Sequence, residues 1–204
     1  MTTTPHRGRA LVPALALATM LALAGCASGG TGISGDYTGA GDGDYVSADG
    51  TTQFFAPEHR GDPIEFEGVT ESGDRVSSAD FTGRVLLVNF WYASCGPCRT
   101  EADDLNALYD EFAPQGVAFL GVNIRDDAPT ARSFEEQFEV EYPSVLDVGD
   151  AAVTLAFARP APPSTTPTTF LLDREGRVAA RFTSAIDPRV TVVAAMIDDL
   201  LAEQ

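Results

Sequence analysis

The sequence lacks lysine altogether, and all thirteen of its basic residues are arginine. A chain without lysine cannot form a lysine Schiff base or supply the lysine of a phosphate-binding loop. Thirty Asp and Glu residues bring the formal net charge to −17. The electrostatic term that draws basic proteins to nucleic acids or anionic lipid would be a repulsion here. The composition therefore argues against nucleic-acid binding and against P-loop nucleotide chemistry.

Histidine and cysteine are also scarce, with two and three residues in the 204-residue chain. A structural zinc site needs four ligands, usually two cysteine pairs or one pair with added histidines. Cys95 and Cys98 form one pair. After residue 25, the only other cysteine or histidine side chains in the sequence are Cys26 and His59, so a second pair of ligands is not at hand. We therefore expect no metal site.

No apolar run reaches the roughly 20 residues that a membrane-spanning helix needs. Residues 10–24, about 15 apolar residues after a basic and acid-free start, have the layout of a secretory signal peptide. The run ends in LAGC (residues 23–26), which resembles the lipobox of bacterial lipoprotein signals, where the cysteine is lipidated and becomes the new N-terminus. We expect a lipoprotein signal peptide over residues 1–25 and lipidation of Cys26. An ordinary signal peptide or a weak membrane anchor with an incidental Cys26 is the alternative.

Residues 26–56 are rich in Gly, Ser, Thr, Asp and Ala, and no basic residue occurs among them. They show no sustained apolar periodicity, so we predict a flexible tether. About 30 such residues would have a root-mean-square reach of roughly 30 Å. Globular composition begins at residue 57, and residues 57–204 are predicted to form one domain.

Hydrophobic patterns in that domain predict a strand, helix, strand, helix order, followed by an antiparallel pair and a last helix. Strands are predicted at residues 64–69, 85–91, 117–124, 144–148, 168–173 and 177–182, and helices from about 95, over about 129–138 and from about 187. The run VLLVNFW (residues 85–91) is typical of a strand buried on both faces. The order predicts an α/β fold in which helices cover both faces of a central mixed sheet, with an N-terminal strand extension.

The cysteine pair falls in WYASCGPCRTE (residues 91–101), where the predicted central strand leads into a helix. A helix N-terminus carries roughly half a positive charge and unpaired N–H groups, so it stabilises a thiolate and lowers the cysteine pKa. Cys95, at the cap and the more exposed position, is predicted to attack disulfides, and Cys98, one turn in, to resolve the mixed disulfide. Gly96 leaves room for a partner chain, and Pro97 pre-sets the helical φ. A purely structural disulfide is the alternative, although so short a loop constrains the unfolded chain little.

FWYASCGPC (residues 90–98) resembles the active-site segment of the thioredoxin superfamily. Together with TPTTFLLDREGRV (residues 166–178), it is similar to the TlpA/ResA branch of membrane-tethered, extracytoplasmic thiol–disulfide oxidoreductases. The resemblance runs from about residue 57 to the C-terminus. It implies a thioredoxin-like fold and a redox-active Cys95–Cys98 disulfide with no other cofactor.

The resemblance also assigns roles outside the cysteine pair. Pro167 matches the cis-proline that packs opposite the cysteines, and it would turn the backbone of Thr166 toward an extended substrate. Glu101 matches an acid one turn after the second cysteine, where it would shuttle that thiol's proton; a helix-surface acid is the alternative. Trp91 would pack beside the disulfide. The predicted substrate-binding residues are Trp91, Gly96, Pro97, Thr166 and Pro167.

The chain departs from the branch at three places. Ser94 stands where a tryptophan usually precedes the first cysteine, so the contact surface beside Cys95 is expected to differ. Asp103 stands where a kinking proline is common, which favours a straighter helix. Residues 159–167 are unusually rich in proline.

The sequence leaves open whether the chain reduces or oxidises its protein substrates. The CGPC setting is that of reducing thioredoxins, and the surplus of acids disfavours a thiolate slightly, so we favour a reductant of exported protein disulfides such as apocytochrome c. The resemblance implies a membrane thiol electron donor of the CcdA/DsbD kind, a lipid anchor in the cell membrane, an extracytoplasmic location and a monomer. The alternatives are a secreted oxidase that forms disulfides and a tethered binding or chaperone module without redox turnover.

Overall fold

The computed structural model describes residues 1–3, 37–39, 43–158 and 165–203. The chain divides into two units, residues 1–35 and 36–204; of the first, only residues 1–3 are described, and every element below belongs to the second. Cys26 and residues 4–25 of the predicted signal peptide lie outside the described residues, as do residues 159–164 of the proline-rich segment. Within the described ranges, no helix is long and apolar enough to span a bilayer.

Ten strands and four α-helices make up this unit in its described part. The strands are β1 (Tyr37–Gly39), β2 (Tyr45–Ser47), β3 (Thr52–Phe54), β4 (Glu67–Val69), β5 (Arg75–Ser77), β6 (Leu86–Trp91), β7 (Ala118–Asn123), β8 (Ser144–Leu146), β9 (Thr168–Leu172) and β10 (Val178–Thr183). The helices are α1 (Gly96–Phe112), α2 (Ala128–Gln137), α3 (Ala152–Ala158) and α4 (Val190–Ala202). Short 3-10 turns occur at Pro57–His59, Ser78–Phe81, Ala113–Gln115 and Asp187–Arg189.

The main sheet has eight strands in the order β1-β2-β3-β10-β9-β6-β7-β8, and β4 and β5 form a separate hairpin. β6 runs parallel to β7, and β7 runs parallel to β8. β9 is antiparallel to both β6 and β10. The sheet is therefore mixed, as the order of the predicted elements indicated.

β6 is the central strand, and all six of its residues are buried. On one side, Leu87 lies in a cluster with apolar residues of α1 and α4, including Leu105 and Ile197. On the other side, Val88 and Phe90 lie in a cluster that also contains residues of α3. Burial on both faces explains why β6 reads as a continuous apolar run. The structure confirms the predicted α/β fold with helices on both faces of the sheet and an N-terminal strand extension.

The flexible tether predicted through residue 56 is wrong in its C-terminal part. β2 and β3 pair with each other, and β3 adds to the edge of β10. The Phe54 ring stacks on Tyr45 at 5.0 Å and meets Phe182 edge-on at 5.9 Å. Each strand has only three residues, so its stability comes from these partners rather than from its own periodicity. The signal that could have revealed the hairpin is Asp49–Gly50, a turn-forming pair, where the Asp49 carboxylate accepts bonds from Ser47 and Thr51.

The other elements differ from the predictions mainly at their ends. The predicted strand at residues 64–69 is regular only over β4, and the last helix begins after a 3-10 turn. α3 was not predicted, because seven residues are too few to show a helical period. Its first turn is held by the Asp147 carboxylate, which accepts the Val153 and Thr154 N–H groups at 2.9 and 2.8 Å.

Gly121 in β7 leaves room for a contact between β6 and β8. The Trp91 indole N–H donates to Ser144 Oγ at 3.2 Å. A Cβ at residue 121 would lie 2.2 Å from Ser144 Oγ and 2.8 Å from Trp91 Nε1. No side chain can be added there without displacing the indole or the serine.

We therefore expect Gly121→Ala to lower the free energy of unfolding by about 1–3 kcal/mol, as overpacking of a core does. Urea denaturation would measure this. The emission of Trp91, the only tryptophan in the chain, should change as well. Gly61→Ala is the matched control, because a Cβ there meets nothing within 4 Å. Equal losses of stability in the two variants would contradict this account of Gly121.

Candidate active site

Cys95 lies at the point where β6 has ended and α1 begins. It is the N-cap of α1, and its Sγ accepts the Cys98 N–H at 3.1 Å. Cys95 and Cys98 are joined in a disulfide, and Pro97 lies in the first turn of the helix. The predicted placement of the pair at a helix N-terminus is confirmed. A negative charge that develops on Cys95 Sγ would face this N–H and the positive end of the helix.

The prediction that Cys95 is the more exposed cysteine is wrong for the disulfide state. Cys95 is 2% exposed and Cys98 is 3% exposed. Cys95 Sγ lies 3.8 Å from the carbonyl oxygen of Thr166, so the loop that precedes β9 covers the sulfur. Gly96 and Pro97 are exposed beside it, and a Cβ at Gly96 would meet nothing within 4 Å. The open side of the disulfide is thus the first turn of α1.

The loop before β9 brings its backbone to the disulfide. The Thr166–Pro167 peptide bond is cis, as the resemblance predicted. Thr166 is half-buried and Pro167 is buried. The Pro167 carbonyl accepts the N–H of Ser184 at 2.9 Å, which ties this loop to the segment after β10. The backbone of Thr166 therefore lies next to Cys95, where an extended partner could pair with it.

Trp91 packs against the disulfide on its inner side. It clusters with Cys95, Cys98 and Phe134 of α2, and the Trp91 and Phe134 ring centroids are 4.4 Å apart. Its exposed fraction is 4%. The expected packing beside the disulfide is therefore present. Direct substrate binding by Trp91 does not fit this burial, because the ring shields the sulfurs and presents almost no surface to a partner.

Glu101 is fully buried, so the alternative of a helix-surface acid is wrong. Its exposed fraction is 0%. Oε1 accepts the Asn89 side-chain amide at 2.9 Å, and Oε2 accepts the Ile186 backbone N–H at 2.9 Å. Asn89 also donates to Thr169 Oγ1 at 3.0 Å, so the amide is fixed between β6 and β9. Each carboxylate oxygen thus has its own donor.

Burial raises the pKa of Glu101 to about 7, against the opposing effects of the Ile186 N–H and the Asn89 amide. Nearby Asp187 raises this pKa further and Arg189 lowers it. Glu101 follows Cys98 by one helical turn. Asn89 lines the same small internal cavity as Cys98 and Trp91. The arrangement places an acid whose pKa is raised to about 7 one helical turn from Cys98.

Asn123, Arg125 and Asp126, which we call the brace, hold the segment before Cys95 in place. This role was not predicted. Asp126 accepts the Ala93 N–H at 2.6 Å and the Asn123 side-chain amide at 2.9 Å. The Arg125 guanidinium lies 4.1 Å from the centroid of the Tyr92 ring. The residues of the brace begin at Asn123, the last residue of β7, in NIRDD (residues 123–127). The sequence signal for these contacts was a polar cluster at the end of a buried strand. Which segment the cluster contacts could not be predicted without the fold.

Two of the three places where the chain departs from the TlpA/ResA branch are on the surface. Ser94 and Asp103 are both exposed, and α1 is continuous past Asp103. No group of three or more His, Cys, Asp or Glu side chains suited to a metal ion occurs among the residues that the structure describes.

Three comparisons place this geometry among known proteins. The family model described as Redoxin matches residues 53–197. The thiol-disulfide oxidoreductase ResA of Geobacillus thermodenitrificans is 34% identical over 99 residues, which is 48% of this chain and 54% of that protein. The ResA of Bacillus subtilis is 32% identical over 130 residues, 64% of this chain and 66% of that protein. The chain spans about half the length of most of the curated relatives it matches.

Solved structures agree with the sequence relatives. A DsbF homologue from Corynebacterium diphtheriae has a TM-score of 0.65 and 29% identity, covering 73% of this chain and 92% of its own. A secreted thiol-disulfide isomerase from Corynebacterium glutamicum has a TM-score of 0.68 and 28% identity, covering 75% and 93%. The predicted resemblance to the TlpA/ResA branch and the thioredoxin-like fold are both confirmed. Since the family model spans more than half of the sequence, this chain belongs to the Redoxin family.

Proposed function

We propose that this chain is an extracytoplasmic thiol–disulfide oxidoreductase that exchanges electrons with protein substrates through Cys95 and Cys98. The observation that carries the proposal is the disulfide at the N-terminus of α1, capped by the Cys98 N–H and facing the Thr166 backbone. Relatives named as thiol-disulfide oxidoreductases support the same reaction class.

In the reducing direction, the reaction begins with the Cys95 thiolate. It attacks one sulfur of a substrate disulfide, so a Cys95–substrate S–S bond forms and the other substrate sulfur leaves as a thiolate. The Cys98 sulfur, after losing its proton, then attacks Cys95 Sγ. The second substrate thiolate leaves, and the Cys95–Cys98 disulfide forms. Two electrons pass to the substrate, and the reverse sequence would oxidise a substrate dithiol.

The substrate strand is proposed to lie along the loop before β9. Thr166 offers its backbone beside Cys95, and exposed Gly96 and Pro97 leave the approach over the first turn of α1 open. Main-chain hydrogen bonds of this kind give affinity with little dependence on sequence. This fits a protein that acts on several unfolded or extended clients.

Loss of the attacking cysteine should abolish turnover. We expect the chain to accelerate reduction of insulin disulfides by dithiothreitol, Cys95→Ser to fall to the uncatalysed rate, and Cys98→Ser to accumulate a mixed disulfide that non-reducing electrophoresis detects. Asp103→Asn, exposed on α1 and outside the contact surface beside Cys95, is the control and should keep its rate. Equal activity in wild type and Cys95→Ser would exclude redox catalysis and would leave the hypothesis of a tethered binding or chaperone module.

We favour the reducing direction, on the CGPC setting and the chain's surplus of acids. The reduction potential in a dithiothreitol or glutathione buffer tests this half of the proposal. The potentials of proteins with related folds run from about −270 mV for thioredoxin to about −120 mV for DsbA. A potential above about −150 mV would favour the secreted oxidase instead.

The clients and the electron donor are proposed from the resemblance alone. They are exported protein disulfides, with apocytochrome c as one client, and a membrane thiol donor of the CcdA/DsbD kind. A monomer with no cofactor beyond the disulfide is sufficient for this chemistry.

The anchor is proposed to be a lipid on Cys26, on the strength of the LAGC motif. We expect the full chain to sediment with membranes when it is produced in a bacterial host, and Cys26→Ala to be released to the soluble fraction. Ser28→Ala, two residues on, is the matched control. Membrane retention of Cys26→Ala would show that the N-terminal segment anchors the chain without lipidation.

Glu101 is proposed to take the proton of Cys98 during resolution. A general base works best when its pKa is near the working pH, and burial raises that of Glu101 to about 7. The carboxylate is the proton-accepting form, so its population rises as the pH rises through 7. The resolution step should therefore speed up over this range.

We expect Glu101→Gln to slow resolution at pH 8 by about 10²-fold, a typical general-base contribution, and to remove the rise centred near pH 7. The first attack by Cys95 should change little. Stopped-flow emission of Trp91 during single turnovers would separate the two steps. Asp103→Asn, on the exposed face of the same helix, is the control. A pH profile for Glu101→Gln that matches wild type would remove Glu101 from the mechanism.

A further inference from the structure

The segment between β10 and α4, residues 184–189, contacts both halves of the redox site. We call it the β10–α4 loop. The Ser184 N–H donates to the carbonyl of Pro167 at 2.9 Å, beside the substrate-facing backbone. The Ile186 N–H donates to Glu101 Oε2 at 2.9 Å, behind the disulfide. One short loop therefore fixes the platform on one side and the buried acid on the other.

Arg189 holds this loop in shape. Its Nη2 donates to Ser184 Oγ at 2.8 Å and to the Ala185 carbonyl at 2.7 Å. Its backbone N–H donates to the Ile186 carbonyl at 2.6 Å. Its Nη1 donates to Thr51 Oγ1 at 2.5 Å, which connects the loop to the turn before β3. The planar fork of a guanidinium directs these bonds from two separate nitrogens in a fixed geometry, whereas the donors of an ammonium all leave a single nitrogen.

The loop needs such support because its conformation is not one that its residues prefer. Ser184 has a φ of 86°, in the region that side chains other than glycine seldom adopt. Ile186 is fully buried, so its N–H could not bond to water if it lost its hydrogen bond to the Glu101 carboxylate. The bonds from Arg189 to Ser184 and Ala185 fall on the residues directly before Ile186.

The groups that face Glu101 come from three parts of the fold. β6 contributes the Asn89 amide, the β10–α4 loop contributes the Ile186 N–H, Asp187 and Arg189, and the segment before β8 contributes the buried phenol of Tyr142. Among these groups of the described residues, Arg189 is the one that bears a positive charge, and this charge lowers the pKa of Glu101. The guanidinium thus favours the carboxylate both through its charge and through the donor that it holds in place.

We propose that Arg189 is a positioning residue of the redox site, which holds the β10–α4 loop so that Ile186 supports the Glu101 carboxylate and Ser184 supports the Pro167 platform. It acts through the loop rather than on the sulfurs. The proposal rests on the role assigned above to Glu101.

The direct test is the pKa of Glu101, followed by ¹³C NMR of its side-chain carboxyl in the folded, oxidised chain. Arg189→Met keeps an unbranched stem of about the length of the aliphatic part of Arg189 and removes its charge and its donors. We expect the Glu101 midpoint to move up. A rise of about one pH unit would lower the carboxylate fraction at pH 7, and with it the resolution rate, roughly fivefold. An unchanged midpoint in a folded Arg189→Met would overturn the proposal.

Two further variants separate the contributions of Arg189. Arg189→Lys keeps the charge and loses the fork, so we expect an intermediate midpoint; a wild-type midpoint would mean that charge alone matters and that the loop is not positioned by Arg189. Thr51→Val removes the bond from Arg189 to the turn before β3, together with the bond from the Thr51 hydroxyl to Asp49, and leaves the bonds within the β10–α4 loop in place. We expect a wild-type midpoint. If Arg189→Met fails to fold, the lysine variant still decides between positioning and charge.

A double variant distinguishes failure of this proposal from failure of the proposed function. In a Glu101→Gln background, Arg189→Met should have no further effect on the pH dependence of resolution. A further shift there would show that Arg189 acts by another route. If Glu101→Gln alone leaves the pH profile of resolution unchanged, Glu101 has no proton-transfer role. The NMR midpoint of Glu101 in Arg189→Met would still test whether Arg189 positions the loop.

Discussion

The burial of the Glu101 carboxylate is the constraint around which the site is arranged. A buried, ionised carboxylate is costly unless each oxygen finds a donor, and here Asn89 and Ile186 supply one each. The folded state still holds the proton more tightly than the unfolded chain does. Protonated Glu101 therefore stabilises the fold below the ordinary pKa of 4.5. This contribution, on the order of 3 kcal/mol of the free energy of unfolding, is lost as the pH rises through about 7. A neutral residue would avoid that loss, so the acid is better explained by chemistry than by stability.

Strand topology brings the remaining parts of the site to this acid. β6 and β7 are parallel, so the segments that follow them, with Cys95 and with Asp126, leave the same edge of the sheet. β9 is antiparallel to β6, so it begins at that edge, directly after Pro167. β10 is antiparallel to β9 and ends there, directly before Ser184. Four segments that are far apart in sequence thus meet at one end of four neighbouring strands.

The same topology decides how much could be predicted from the sequence. β6 and the start of α1 have strong local signals, a continuous apolar run and a proline in the first turn, and the Cys95–Cys98 pair is in the expected place. Pro167 was placed only through a resemblance, because nothing local indicates a cis bond. β2, β3 and α3 are too short for a periodic signal and depend on tertiary partners. The roles of Asp126 and Arg189 could not be predicted, because each depends on a contact between distant parts of the chain. Asp126 bonds to Ala93, 33 positions away, and the loop that Arg189 holds reaches Glu101 through Ile186, 85 positions away.

The surface beside Cys95 carries the chain's main departure from the branch it resembles. Ser94 is exposed where an aromatic ring is common. Two residues before it, the Tyr92 ring is covered by the guanidinium of Arg125. Arg99, also exposed, donates to the Ala93 carbonyl and lies over Phe138. A partner that reaches the disulfide over Gly96 therefore meets the small Ser94 hydroxyl, with Arg99 and Arg125 contacting the residues that directly precede it, on a chain whose net charge is −17. Selection among clients at this edge would rest on charge and on close backbone approach, rather than on an apolar contact.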